Sequence, residues 1–321
     1  MKGKGRMPVV QPMDGPQEER VVNAELVSPA TGGGIIAVLQ KPYLLRLIVT
    51  RQLASKYAAS LLGLLWSYIQ PAMRFGVYYV IMGVILKMHQ GFPYFAIHLF
   101  CGIVFIHYFS ETWSGATRSI WGNRTLVLKM PIPREVFPVS SMVVAAYHTF
   151  PQILLLALCS LLVGWQISWA GLAAGLLGVA ILVLFAMALS LFFSALNVFF
   201  RDFQNIVATL LQFMHFVVPM MYPFSRVYNE RIGHEFIYQI YMANPVAEAV
   251  VLMQRFFWWD VVSPAAKDGN VLIDNATGVR TVQFPPDMWS RGLIMLAACA
   301  LLMVLSQKFF SRVERKFPER M

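Results

Sequence analysis

Apolar positions along the 321-residue chain gather into six long runs, near Leu65 to Leu86, Tyr94 to Glu111, Val136 to Val163, Ile167 to Leu196, Phe203 to Tyr222 and Trp289 to Ser306. A bilayer core of roughly 30 Å takes about 20 helical residues to cross, so these runs predict six transmembrane helices. Six crossings return both ends of the chain to one side. Ahead of them, residues 35–64 carry a helical period. Leu53, Tyr57, Ala58, Leu61 and Leu62 fall on one side, with Arg51, Gln52, Ser55, Lys56, Ser60 and Gly63 on the other. That pattern predicts an amphipathic helix at the membrane interface. Residues 1–34, from MKGKGRMP to SPATGGG, are rich in Pro, Gly and charge without a continuous apolar core, which predicts a disordered arm.

Between the last two runs, Phe236 to Tyr241 and Val246 to Trp259 are apolar but too short to cross. Two short re-entrant helices, dipping into or lying on the outer leaflet, are expected there. The turn signals KDGN and NATG within Asp260 to Pro286 predict a small exposed hairpin or loop. The expected organisation is an arm (1–34), an interface helix (35–64), a six-span domain (65–310) with external gate helices and a loop at 223–288, and a tail (311–321).

Charge orients this all-α polytopic membrane protein. The segment Arg118 to Arg134, RSIWGNRTLVLKMPIPR, carries Arg118, Arg124, Lys129 and Arg134, with no acid between them. Each would cost several kcal/mol in hydrocarbon, and short basic loops stay on the cytoplasmic face. With this loop, both termini and Arg201 inside, 18 of the 26 basic residues are cytoplasmic. Residues 223–288, placed outside, carry seven acids against five bases. A chain that is 58% hydrophobic and 13% charged, against roughly 25% charged in soluble domains, is not a globular enzyme. Its net charge of +10 lies beside the spans and so suits anionic headgroups, not nucleic acid.

Absent motifs narrow the chemistry. There is no GxxxxGK[ST] phosphate loop, GxGxxG, HExxH or GxSxG, so neither nucleotide hydrolysis nor a hydrolase nucleophile is indicated. No acid sits mid-span, which argues against ion-coupled secondary transport, and Glu111 and Asp202 stand too isolated to serve a membrane transferase. Cys101, Cys159 and Cys299 lie in apolar runs, and the six histidines lack metal-ligand spacing.

Several segments together resemble one family. KYAASLLGLLWSYIQP, from Lys56 to Pro71, follows the pattern basic-Tyr-x-x-Ser-x-Leu-Gly-x-x-Trp-x-x-x-x-Pro that opens the first span of ABC-2 type permeases exporting lipid-linked polysaccharides. Phe92-Pro93-Tyr94, the SIWGNRTLVLKMPIPR loop, Phe200-Arg201-Asp202, VVPMMYPFSRV and Asn244-Pro245 continue it in order over residues 35–310. The departures are the long arm and Lys56, where arginine is commoner. The resemblance is to the membrane subunit of O-antigen, teichoic acid and galactan exporters. It implies an ABC-2 (type V) exporter fold, a homodimer in the bacterial inner membrane, and two cytoplasmic ATPase subunits that hold ATP and Mg. This chain would carry no cofactor, and a polyprenyl-pyrophosphate-linked glycan would pass outward at the dimer interface. A drug or small-lipid ABC-2 exporter is the alternative.

Three groups of candidate residues follow. For ATPase coupling, a helix over Ile120 to Met130 supplies Ile120, Trp121, Asn123, Arg124, Leu126 and Lys129, with Arg201 and Asp202 as a second contact; the other reading is an ordinary positive-inside loop. For a glycan path, Tyr78, Tyr79, Phe105, Tyr108, Trp113 and Phe216 offer aromatic faces on which sugars slide, and core packing is the competing role of each. For the lipid pyrophosphate, Arg74 lies within a span, three residues after a proline that opens the helix, and Lys56 and Arg51 are further candidates. Arg74 bonding the freed carbonyls or snorkelling is the competing reading.

Overall fold

The computed structural model describes residues 33–58, 61–90, 92–130, 132–230, 235–273 and 278–321. The expected disordered arm lies outside the described residues up to residue 32. The chain is mostly helical. Among the described residues, four helices are long and apolar enough to cross a membrane: Phe95–Gly122, Val136–Leu162, Trp169–Phe199 and Met288–Glu319, the last ending in a 3₁₀ turn. Phe203–Val217 is a shorter apolar helix. The protein is therefore a multi-pass membrane protein.

The amino-terminal helices form a broken lead-in. Helix α1 (Gly34–Leu39) stops before Lys41, and α2 (Pro42–Tyr57) restarts with proline at its first position, where the missing N–H is not needed. The single interface helix expected over 35–64 is thus two pieces, ending seven residues early. Ile48 is the buried residue of α2, while Tyr43 and Leu47 are exposed. Tyr43 and Leu47 therefore face away from the protein, whereas Ile48, with Leu44 and Leu45 beside it, packs into a buried apolar cluster.

Helix α3 (Trp66–Tyr78) contains Pro71 and runs directly into a π-helical stretch, Tyr79–Ile85. The amide of Leu86 reaches back five residues to the carbonyl of Ile81 at 3.0 Å. Helix α4 (Phe95–Gly122) begins after Tyr94, which adopts a left-handed φ of 52°. Trp258 fixes this start. Its indole stacks on Phe92 with centroids 4.7 Å apart, and its N–H donates to the carbonyl of Pro93 at 2.8 Å. The second run was expected to end at Glu111; α4 continues for three further turns, carrying Arg118 inside the helix.

Helix α5 (Arg124–Lys129) is one short turn, and α6 (Val136–Leu162) and α7 (Trp169–Phe199) pack on α4. Ser168 caps α7 by accepting from the Gly171 amide at 2.9 Å, and Asp260 in turn accepts from the Ser168 hydroxyl at 2.7 Å. Helix α8 (Phe203–Val217) is shorter than the apolar run expected to Tyr222, because Pro219 pushes Val218 into extended backbone.

The segment between α8 and the last long helix holds α9 (Phe224–Glu230), α10 (Glu235–Met242) and α11 (Pro245–Phe257). The apolar pattern pointed to the last two and missed α9. Asn244 caps α11 through its side-chain oxygen, which accepts from the Val246 amide at 3.0 Å, and Pro245 takes the first helical position. Helix α11 is buried against α4 and α7, so Gly178 of α7 faces the carbonyl of Ala249 with no room for a methyl group. The expected hairpin is a three-stranded antiparallel sheet, β1 (Lys267–Asp268), β2 (Val271–Ile273) and β3 (Arg280–Val282). Helix α12 (Met288–Val313) closes the bundle against α7.

Candidate functional site

Two groups of side chains stand out. The first is where the basic segment leaves α4. Asn123 ends that helix and begins the next: its side-chain amide donates to the carbonyl of Ser119 at 2.8 Å, while its own carbonyl accepts from Leu126 and Val127 at 2.9 and 3.1 Å. The single helix expected over Ile120 to Met130 is therefore two helices meeting at Asn123.

Its residues take different positions. Ile120 is fully buried and supports the turn from beneath, and Leu126 is half-buried. Arg124, Lys129, Arg201 and Asp202 are exposed. Trp121 gathers the cations: the Arg201 guanidinium lies 3.8 Å from its ring centroid and that of Arg124 lies 5.4 Å away. Each such contact contributes about 0.5–1 kcal/mol at an exposed site. Two basic connections far apart in sequence thus form one surface. Beside it, the buried loop residue Arg134 donates to the backbone carbonyl of Glu314 and faces the ring of Phe317, joining the segment to the carboxy-terminal turn. Burial holds the Arg134 guanidinium below its ordinary pKa, against the pull of Glu314 and Glu135.

The second group lines a cavity of about 660 Å³ between α2, α3, α4, α6 and α8. Lys56 and Arg74 meet there, as do Arg118, His107, His215 and Glu111. Arg51 is exposed on α2 and does not line it. Among the described residues Arg74 makes no hydrogen bond or ion pair, and Arg118 bonds only the hydroxyl of Ser114, at 2.9 Å.

Glu111 is the centre of this group. Its Oε1 accepts from Lys56 Nζ and His148 Nδ1, both at 2.6 Å. His148 is buried, and its Nε2 meets the Tyr57 hydroxyl at 2.7 Å, which meets Ser67 Oγ at 2.8 Å. One orientation satisfies the chain with a neutral imidazole: Ser67 donates to Tyr57, Tyr57 to Nε2, and Nδ1–H to Glu111. The other carboxylate oxygen, Oε2, is buried without a hydrogen-bond partner and has His107 Nε2 at 3.6 Å.

The expectation that Glu111 stands isolated is therefore wrong. Its partners are 55 and 37 residues away in sequence, so spacing could not pair them. One signal was present: His107, Glu111, Ser114 and Arg118 recur at helical spacing and set a polar stripe on an apolar helix.

The aromatic candidates divide. Phe105, Tyr108 and Trp113 are buried within the subunit, with Phe105 against Phe257 at 6.1 Å and Trp113 against Phe193 at 5.2 Å. They pack in the core of the subunit, and Phe105 also borders a small apolar pocket with Ile153, Leu172 and Met253. Helix α4 is apolar nearly all round, so its sequence does not mark which side is interior. Tyr78 is half-buried, and Tyr79 and Phe216 remain exposed.

An apolar bundle with a cationic cavity and a basic surface built from two connections defines the membrane-embedded subunit of a transporter. The sequence pattern of the family described as ABC-2 type transporter matches residues 43–257. The chain belongs to that family. It is 31% identical over 211 residues to the O-antigen export system permease protein RfbA of Myxococcus xanthus, covering 66% of this chain and 78% of the relative. It is 26% identical over 217 residues to a protein of the same name from Klebsiella pneumoniae, covering 67% and 80%.

Proposed function

We propose that this chain is the permease of an ABC exporter that moves a polyprenyl-pyrophosphate-linked polysaccharide of the O-antigen class outward across the bacterial inner membrane. The observation that carries this reading is the similarity over about two thirds of the chain to O-antigen export permeases. The permease works as a homodimer with two ATPase subunits, which hold ATP and Mg on the cytoplasmic side. Six crossings per subunit are completed by α3 with its π-helical continuation and by α8. Both termini lie in the cytoplasm, and α10 and α11 form the external gate.

The cavity supports the lipid part of the reading. Lys56, Arg74 and Arg118 surround one carboxylate, an excess of two basic side chains that suits a phosphate dianion. The Trp121 surface supports the coupling part: α5, Arg124, Lys129 and Arg201 present cations where an ATPase subunit docks.

Depletion of the chain in its native cell tests the export function. Lipid-linked polymer is expected to accumulate on the cytoplasmic face; normal surface glycan with no accumulation would refute the polysaccharide assignment and leave a drug or small-lipid substrate. Reversing Arg124 and Lys129 to glutamate tests coupling. The variant is expected to keep its place in the membrane and lose export together with transport-linked ATPase activity, and unchanged transport would refute the docking role.

A further inference from the structure

The cavity contains an anion of its own. Glu111 holds Lys56 at 2.6 Å, in the space where an incoming phosphate would look for that ammonium group. Its carboxylate is only half satisfied, since Oε2 has no hydrogen-bond partner among the described residues. The Lys56 side chain is 50% exposed and that of Glu111 18%, so the pair stands at the cavity wall, open to exchange. Arg74 and Arg118 have no acidic partner among the described residues.

We propose that Glu111 is the resident counter-anion of this site: an arriving diphosphate headgroup takes Lys56 from it, so the cavity is charge-compensated while empty and recharged by its ligand. This inference rests on the reading that the cavity receives the lipid diphosphate. The exchange is a competition between two anions for one ammonium group. A carboxylate offers two oxygens and one charge, whereas a diphosphate offers more of both and engages Lys56, Arg74 and Arg118 together. The released Glu111 keeps the Nδ1–H of His148 as donor, which spares a buried charge from standing alone. Exchange also removes the charged tie between α2 and α4, so headgroup arrival is felt at the end of α2. Tyr57 and Gln52 still hold that helix to α6, through His148 at 2.7 Å and Ser140 at 2.9 Å. A neutral lipid has no means of displacing Glu111, so the same device discriminates against uncharged prenyl lipids.

The test measures binding to the purified permease–ATPase complex in lipid nanodiscs, with a short-chain prenyl diphosphate, inorganic pyrophosphate and the matching prenyl alcohol as probes. Glu111→Gln removes the competing charge and is expected to bind the prenyl diphosphate about tenfold more tightly, or ~1.4 kcal/mol, with alcohol binding unchanged. An equal gain with inorganic pyrophosphate supports the exchange and makes the diphosphate itself the recognised group; a gain confined to the prenyl compound supports it with the headgroup delivered from the membrane. If Arg74→Gln weakens diphosphate binding while Glu111→Gln leaves it unchanged or weaker, the phosphate site stands and the exchange is overturned. If the wild-type complex binds no diphosphate, the reading of the cavity falls and the exchange with it. Carbodiimide labelling of Glu111 in the wild-type complex, read by mass spectrometry, covers the case of a variant that does not fold. Prenyl diphosphate is expected to increase labelling as Lys56 departs, and unchanged or reduced labelling overturns the proposal.

Discussion

Replacing Tyr57 with phenylalanine isolates one hydroxyl at the junction of α2, α3 and α6. That hydroxyl lies 2.7 Å from Nε2 of His148 and 2.8 Å from Oγ of Ser67. The ring keeps its edge contact with the imidazole, with centroids 5.7 Å apart and planes at 77°, so phenylalanine preserves the apolar packing. What is lost differs on the two sides. Ser67 is half-buried beside the cavity and can turn its hydroxyl to water. His148 is 1% exposed, so loss of the phenol leaves its Nε2 buried. A buried polar atom left unpaired costs about 1–3 kcal/mol, whereas an ordinary exchange with water costs about 1 kcal/mol or less. The expected loss for Tyr57→Phe is therefore about 2 kcal/mol, which lowers the melting temperature of the purified complex by roughly 3–6 °C. Ser67→Ala, measured beside it, is expected to lower it by no more than about 3 °C on the same scale. A Tyr57→Phe complex that melts within a degree of wild type would mean that His148 finds another donor, and the ordered chain from Ser67 to Glu111 would have to be abandoned.

Two further substitutions test how the external segment is held. Asp260 is buried and accepts from Ser168 and from Arg255, the latter at 2.8 Å; Asp260→Asn removes a buried charge partner and is expected to destabilise by about 3 kcal/mol, visible as a lowered melting temperature and increased proteolysis after α11. Gly178→Ala places a methyl carbon 2.9 Å from the Ala249 carbonyl oxygen, and the crowding is expected to cost about 2 kcal/mol; an unchanged melting temperature would show that α7 and α11 separate freely.

Much of the fold was legible in the sequence because hydrocarbon imposes a length and a composition. The run expected over Val136 to Val163 is the helix Val136–Leu162, and the apolar run Val246 to Trp259 is α11, Pro245–Phe257. The misreadings share a cause, which is that helical ends and faces are settled by distant partners. Arg118 reads as a loop residue, yet Ser114 one turn earlier and the cavity beside it let α4 carry it. The π-helical stretch after Tyr78 has an ordinary apolar sequence, and its altered register is a backbone property without a side-chain signature. Lys56 and Arg74 could be singled out as cations near a span, but the carboxylate already holding Lys56 belongs to another helix. Trp121 was marked as part of one connection; that Arg201 from another would lie over it depends on how α4 and α7 end side by side.

Helix α4 deserves a mechanical description. Its 28 residues make a rod about 42 Å long, and unlike α3 and α6 it contains no proline. One end is bolted beneath Trp258, the middle carries Glu111, and the other end carries Trp121 with its arginines. A helix without a proline hinge moves as one body, so a displacement of its Trp121 end would be carried to Glu111 and to the contacts with α11.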